Sequence, residues 1–284
     1  MRAAVLGSPI AHSLSPYLHR AAYRAMGLTG WTYDAFECDE AALPGLLEGT
    51  IRPVRGPGGS GDRAWAGLSL TMPLKRAVLP LLDTVSDLAV EVGGANTVVF
   101  RDGAAHGENT DVHGIERALA EAGAPAPGSA LVLGGGATAA SALAALRNLG
   151  LDHVTLAVRD PGRAAETVAV AGRLGVTLRV ETLDKLEPLL GVDLVVSTLP
   201  GPAADVHAAT LAGVPALFDV VYAPWPTAAA RSVQAAGGRV VGGFAMLLHQ
   251  AVRQVELMTC RADVPVEAMR AAGEAEIRRR AGHG

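Results

Sequence analysis

Residues 130–149 read ALVLGGGATAASALAALRNL. Four apolar residues run into three glycines, and an alanine- and leucine-rich stretch of helix formers follows. Strand, tight turn and helix in that order fit G-x-G-x-x-A at 134–139, the context a dinucleotide-binding turn requires. Gly134 permits the tight turn, Gly136 lets the backbone come close to a pyrophosphate, and Ala139 lets the helix pack closely on the sheet. Free N–H groups at the helix start then meet the phosphates. Gly134, Gly135, Gly136, Ala137 and Thr138 are the candidate cofactor-binding residues of this turn.

Downstream, residues 153–158 read as the next strand, and 161 to about 174 as a helix. Between them lie Arg159, Asp160 and Arg163. The end of this strand is where such folds separate NAD from NADP. Two arginines suit a 2′-phosphate. Asp160 suits either a ribose hydroxyl or an ordinary N-cap before Pro161. The arginines favour NADP and leave NAD open. Further strands are read at 178–180, 194–197, 216–220 and 239–241. Residues 113–245 are thus a doubly wound, Rossmann-type parallel sheet. Two helices follow to the end.

Upstream, residues 1–112 alternate strand and helix signals and read as a separate α/β domain, joined by residues 246–284. Strands are predicted at 2–6, 32–36 and 65–70. Helices are predicted at 16–26, with Ser15 as N-cap and Pro16 in the first turn, at 40–47, and at 74–82. Residues 52–63 form a glycine- and proline-rich loop. Asp102-Gly103 marks a hairpin between 96–100 and a partner near His106. The alternation predicts parallel pairing.

The whole chain has 284 residues and a formal net charge of −4, with 50% hydrophobic and 18% charged residues. That composition excludes a disordered chain, and the mild acidity argues against nucleic-acid binding. Cys38 and Cys260 are too few for a disulfide framework or a cysteine-rich zinc site; no metal is expected. Residues 124–146 carry no charge, but prolines and three glycines break the run, so no membrane span is expected. The N-terminus lacks signal-peptide character, and a cytoplasmic protein is expected.

Three polar strings stand out before residue 112: the serines 13 and 15, SLTMPLK at 69–75, and the pair N96-T with N109-T-D111. Each alone has a bland reading as a helix start, strand or turn. Lys75 draws more notice. Of 24 basic residues only Lys75 and Lys185 are lysines. Lysine can give up a proton where arginine cannot.

Taken in order, seven motifs resemble those of the shikimate dehydrogenase family over nearly the whole chain. GSPIAHSLSP (7–16) is similar to that family's opening motif, and SLTMPLK to its N-V-T-x-P-x-K segment. GGANT (93–97) and GENTD (107–111) resemble its A-N-T and N-T-D motifs. GGGATA stands for its glycine loop, and VVYAPWPT (220–227) and GGFAMLLHQA (242–251) for its two late motifs. The resemblance implies NADPH-dependent reduction of 3-dehydroshikimate to shikimate, in aromatic amino-acid biosynthesis, with a site in the cleft between the domains. It implies that Ser13 and Ser15 hold the substrate carboxylate. Thr71, Asn96 and Gln250 would bond ring hydroxyls, and Lys75 and Asp111 would flank the reacting carbon. Tyr222 matches a substrate-side tyrosine, and Val220, Gly243 and Met246 match cofactor-side residues near the nicotinamide. The partner is a small molecule, not nucleic acid or membrane, and the chain a monomer or homodimer.

Two departures bear on this. Position 69 is Ser where the family often has Asn, so a contact there is shortened, lost or water-bridged. Asp160 replaces a usual Thr or Ser, and Val158 an Asn, which weakens strict NADP preference. A quinate or aminoshikimate dehydrogenase, using NAD or both cofactors, is the second reading. A non-catalytic nucleotide and metabolite sensor is the third, and the presence of both Lys75 and Asp111 speaks against it. The chemistry agrees: hydride addition to a ketone leaves charge on oxygen, which an ammonium stabilises and protonates. Such positioned proton transfer contributes about 10²–10⁴-fold in rate.

Overall fold

In chain order the elements are β1 (Arg2–Gly7), α1 (Ser15–Ala25), β2 (Thr32–Glu37), α2 (Leu43–Ile51), β3 (Trp65–Leu70), α3 (Leu74–Ala77), β4 (Thr84–Val85), α4 (Asp87–Val92), β5 (Thr97–Arg101) and β6 (Ala104–Glu108). There follow α5 (Asp111–Glu121), β7 (Ala130–Leu133), α6 (Ala137–Asn148), β8 (His153–Val158), α7 (Ala165–Leu174), β9 (Thr177–Thr182), β10 (Leu194–Ser197), α8 (Ala208–Leu211), β11 (Ala216–Asp219), α9 (Ala228–Ala235), β12 (Arg239–Gly242), α10 (Gly243–Thr259) and α11 (Val266–Ala281). The computed structural model describes residues 1–51, 64–124, 126–201 and 203–282; the glycine- and proline-rich loop read at 52–63 lies outside them. The chain divides into two units, Met1–Thr110 with Gln250–Gly284, and Asp111–His249. The second join falls inside α10. No helix among the described residues is long and apolar enough to cross a membrane.

The first unit holds a six-stranded sheet in the order β2-β1-β3-β5-β6-β4. It is mixed, not parallel throughout as the alternation predicts. β1 lies parallel to β2 and β3, whereas β5 runs antiparallel to both β3 and β6. The reason is local: Asp102 (φ 54°) and Gly103 (φ 79°) both adopt the left-handed region, which a two-residue hairpin turn demands and which reverses the chain. Leu6, Leu43, Leu68, Leu74 and Val98 form its core on one side of the sheet. Burying each such side chain contributes about 1.5–3 kcal/mol.

Three helix boundaries differ from expectation, each for a local reason. α2 begins at Leu43, not at 40, because Asp39 accepts the Ala42 N–H at 2.9 Å and its carbonyl receives Leu43, so the chain turns before it coils. The helix read at 74–82 is α3 followed by a 3-10 turn at Leu79–Leu81, because Pro80 offers no N–H to continue it. The segment from Pro161 opens as a 3-10 turn (Pro161–Ala164) before α7.

The second unit holds an all-parallel sheet in the order β12-β11-β10-β7-β8-β9. The chain winds outward from β7 through β8 to β9, then returns to place β10 on the other side of β7. That reversal is the topological switch point, and ligands of such sheets bind at the carboxyl ends of the strands beside it. Leu131, Leu133, Val195 and Leu217 fill the core there. In α6 the eight residues 139–146 are all buried. Only a helix of mostly small side chains can be enclosed on every face, which is why this stretch is so rich in alanine.

Candidate active site

In the first unit the serine loop follows β1. Ser13 donates its N–H to the Ile10 carbonyl at 2.9 Å, and its Oγ accepts the Ser15 N–H at 3.3 Å. Ser15 is therefore not the N-cap. It is the first residue of α1, Leu14 stands at the cap position without a side-chain bond, and the capping oxygen comes from Ser13 instead. Ser15 is buried and Ser13 half-buried. The far end of the chain braces this loop: Arg280 donates to the carbonyls of His12 (2.7 Å) and Ser13 (3.5 Å). Glu276, buried beneath, accepts from Arg279 and Arg280 at 2.6–2.7 Å. The Arg279 guanidinium, aided by Arg280, holds its carboxyl down to about 2.

The loop after β3 is laced to the first. Thr71 donates its N–H to Leu6, and Ser8 donates to Met72, each at 2.9 Å. A Cβ on Gly7 would lie 2.2 Å from Thr71 Cγ2, so Gly7 is glycine because the threonine methyl occupies that space. Lys75, on α3, accepts the Ala95 N–H on its carbonyl at 2.8 Å, which ties the lysine segment to the Ala-Asn-Thr segment. Asn96 is 1% exposed. Its Oδ1 accepts from the Thr110 N–H (2.8 Å) and the Thr97 hydroxyl (2.9 Å), and its Nδ2 donates to Thr110 Oγ1 (3.0 Å) and Gln250 Oε1 (3.3 Å). The structure thus brings Asn96 and Gln250 into direct contact.

Sequence reasoning singled out Ser69 but missed the groups that it bonds. Ser69 is buried, its Oγ accepting from Tyr33 at 2.7 Å and donating to Gln254 Oε1 at 2.8 Å. Gln254 also bonds His19 (3.2 Å), Thr97 Oγ1 (3.0 Å) and the Asn96 carbonyl (3.3 Å). The rings of His19 and Tyr33 stack 3.9 Å apart. Complete burial pushes the His19 imidazole down to about 3, so it is neutral, and pushes the Tyr33 hydroxyl well up. A signal for Gln254 existed in the sequence: it stands one helical turn after Gln250 on the same face.

In the second unit the glycine turn has the required geometry. Gly134 adopts φ +100°, and a Cβ there would lie 2.6 Å from Thr198 Oγ1. Thr198 follows β10 and donates to the Leu133 carbonyl at 2.8 Å, so the turn sits at the switch point. Gly135 is held by Thr167, whose hydroxyl donates to its carbonyl at 2.8 Å. A Cβ on Gly136 would meet nothing within 4 Å, so its backbone borders open space at the start of α6, beside Ala137 and Thr138. Ala139 is fully buried. These features fit a pyrophosphate laid against backbone N–H groups.

At the end of β8, Arg159 and Arg163 are exposed, and neither is paired with a described residue. Asp160 is the N-cap of the turn that follows, Oδ1 accepting the Gly162 N–H at 2.9 Å. Asp111 is buried as the first residue of α5, where a carboxylate suits the positive end of the helix. After β11 the chain passes through Val220 and Tyr222. A Cβ on Gly243 would fall 1.9 Å from the Val220 carbonyl oxygen, so these two backbones touch and only glycine fits. Met246 is buried on α10, and Tyr222 is half-buried. Beneath this segment the buried Asp219 accepts from Thr227 Oγ1 (2.8 Å) and the Val221 N–H (3.2 Å); burial raises its carboxyl.

Residues 5–98 match the family model described as the shikimate dehydrogenase substrate binding domain. A curated shikimate dehydrogenase (NADP(+)) of Thermus thermophilus is 40% identical over 261 residues, 91% of this chain and 92% of that one. The chain belongs to the shikimate dehydrogenase family. Among solved structures, the Mycobacterium tuberculosis shikimate dehydrogenase is 42% identical with a TM-score of 0.84, covering 96% of this chain and 99% of that one. The Thermus thermophilus shikimate 5-dehydrogenase in complex with NADP(H) and shikimate is 34% identical with a TM-score of 0.81, covering 97% and 99%. The serine loop, β3 and Asn96 all lie within the residues that match that family model.

Proposed function

We propose that the protein oxidises shikimate to 3-dehydroshikimate, and reverses that reaction, with NADP. The observation that carries this reading is the polar wall of the first unit, where Asn96 and Gln250 are bonded to one another behind two loops bearing the serines, Thr71 and Lys75. The named relatives support it. When bound, NADP supplies the hydride acceptor, and NADPH the donor. Every other role falls to the chain. Ser13 and Ser15 hold the substrate carboxylate, a charged acceptor for which each hydroxyl bond contributes about 1.5–3 kcal/mol. Thr71, Asn96 and Gln250 bond ring hydroxyls, and Tyr222 contributes from the segment after β11. The Lys75 ammonium stabilises the negative charge that develops on the carbonyl oxygen and donates a proton there. Asp111 is the second acid–base group of this proton transfer.

Gly134, Gly135, Gly136, Ala137 and Thr138 take the pyrophosphate, and Val220, Gly243 and Met246 border the nicotinamide. Arg159 and Arg163 hold the 2′-phosphate by the fork geometry that suits phosphate oxygens. Asp160 weakens this less than its charge suggests, because its carboxylate is engaged with the N–H of its own helical turn. NADP is thus preferred over NAD, with the preference blunted. The test is a matrix of initial rates at 340 nm, shikimate and quinate against NADP and NAD. The highest kcat/KM with shikimate and NADP supports the reading. A higher value with quinate, or with NAD, selects the alternative, and no turnover with any pair overturns both.

A further inference from the structure

Ser69 has one hydroxyl, and both its roles are taken. It accepts from Tyr33 Oη at 2.7 Å and donates to Gln254 Oε1 at 2.8 Å, inside the protein. It has no proton left to offer a ligand. The carboxamide that position 69 lacks is brought from α10 by Gln254, 185 residues later. Gln254 is 1% exposed, and its four bonds use its full capacity: Oε1 accepts from Ser69 and from His19, while Nε2 donates to Thr97 Oγ1 and to the Asn96 carbonyl.

The proton directions are determined by the ends. Neutral His19 has one N–H. With Nε2 donating to Gln254, Nδ1 is left to accept the Tyr23 hydroxyl at 3.5 Å. Thr97 passes its own proton to Asn96 Oδ1 at 2.9 Å. At the other end the Tyr33 hydroxyl donates to Ser69. A continuous path therefore runs Tyr33, Ser69, Gln254, Thr97, Asn96. It ends on Asn96, a residue assigned to a ring hydroxyl of the substrate.

We infer that Gln254 is a positioning residue that fixes Asn96 for the substrate, and that Ser69 and Gln254 together do the work of a single carboxamide at position 69. The inference rests on the substrate assignment made under Proposed function. It predicts reciprocity between two distant positions. Gln254→Met keeps the volume and the fold but breaks the path. It should raise KM for shikimate about tenfold, the size of one or two lost hydrogen bonds, with kcat and KM for NADP within about twofold. Ser69→Asn alone brings a second carboxamide into a filled space and should also raise KM for shikimate. Ser69→Asn with Gln254→Ala exchanges the carboxamide from helix to strand and should return KM to within about threefold of wild type.

The experiment is steady-state kinetics on wild type, Gln254→Met, Gln254→Ala, Ser69→Asn and the double variant, with thermal melts to confirm folding. Rescue in the double variant supports the inference. With an active wild type, an unchanged KM in folded Gln254→Met, or a double variant whose effects simply add, overturns it while leaving the substrate assignment standing. A wild type inactive on shikimate overturns the assignment and the inference together.

Discussion

Around Asn96, the groups proposed to meet the substrate are side chains; Asn96 and Gln250 are buried and bonded to other side chains, and Ser15 is buried in the same unit. Around Gly134, the groups proposed to meet the cofactor are backbone N–H donors, and the side chains are small or missing. The first design depends on partners that can be changed one hydrogen bond at a time. The second depends on space: it fails when a Cβ enters, as at Gly134 or Gly243, and is indifferent to polar substitutions around it. The two regions should therefore break in different ways.

The largest effect belongs to the side-chain region. Lys75→Ala and Asp111→Ala should each lower kcat about 10²-fold or more, with folding intact. The double variant should lose far less than the product, because the pair acts as a unit. Lys75→Arg should also be poor, since the charge stays while the proton donor is lost. Wild-type kcat in either single variant breaks the assignment.

Next comes the one place where the backbone region uses side chains. Replacing Arg159 and Arg163 by Ala should lower kcat/KM with NADP by about 10²-fold and leave NAD within about threefold, each lost charge-assisted phosphate contact contributing about 1.5–3 kcal/mol. Equal losses with both cofactors would mean that the arginines serve the fold and that the glycine turn does not bind pyrophosphate alone.

A smaller effect tests how the serine loop is braced. The Glu276 carboxyl is held at about 2 by Arg279 and Arg280, below its ordinary value near 4.5. A depressed carboxyl stabilises the fold above the unfolded value and loses that contribution as pH falls from about 4.5 toward 2. The Tm of wild type should exceed that of Glu276→Gln at pH 6, and the gap should close by pH 2. A gap independent of pH breaks the ion-pair account.

The smallest effect contrasts two buried serines. Ser69 has two partners, whereas Ser197 Oγ, at the end of β10, is buried with none among the described residues. Ser69→Ala should cost about 1–3 kcal/mol by stranding its partners, and Ser197→Ala should gain up to about 1 kcal/mol. Denaturant unfolding of the two variants gives the comparison directly, and a loss in Ser197→Ala would mean that its hydroxyl has a partner in solution.

Local signals carried far in the chain. The glycine turn and the strands at 65–70, 130–133 and 153–158 are where their patterns place them, because each depends on neighbours within a few residues. The hairpin at Asp102-Gly103 is local too. Misjudged boundaries, at α1, α2 and α3, turn on single capping atoms or one proline, which compete with propensity at the scale of about 1 kcal/mol. The seven family motifs made the candidate residues legible, but not what holds them.

What the sequence determined alone was the order of elements, the doubly wound character of residues 113–245 and the candidate residues for the chemistry. Tertiary structure decided the order of strands in the first sheet and the two braces behind the site. Gln254 meets Ser69 across 185 residues, and Arg280 meets His12 across 268. No periodicity or turn rule links positions so far apart. Such bonds exist because burial leaves each polar group only the partner that folding brings beside it, and an unpaired group there costs about 1–3 kcal/mol.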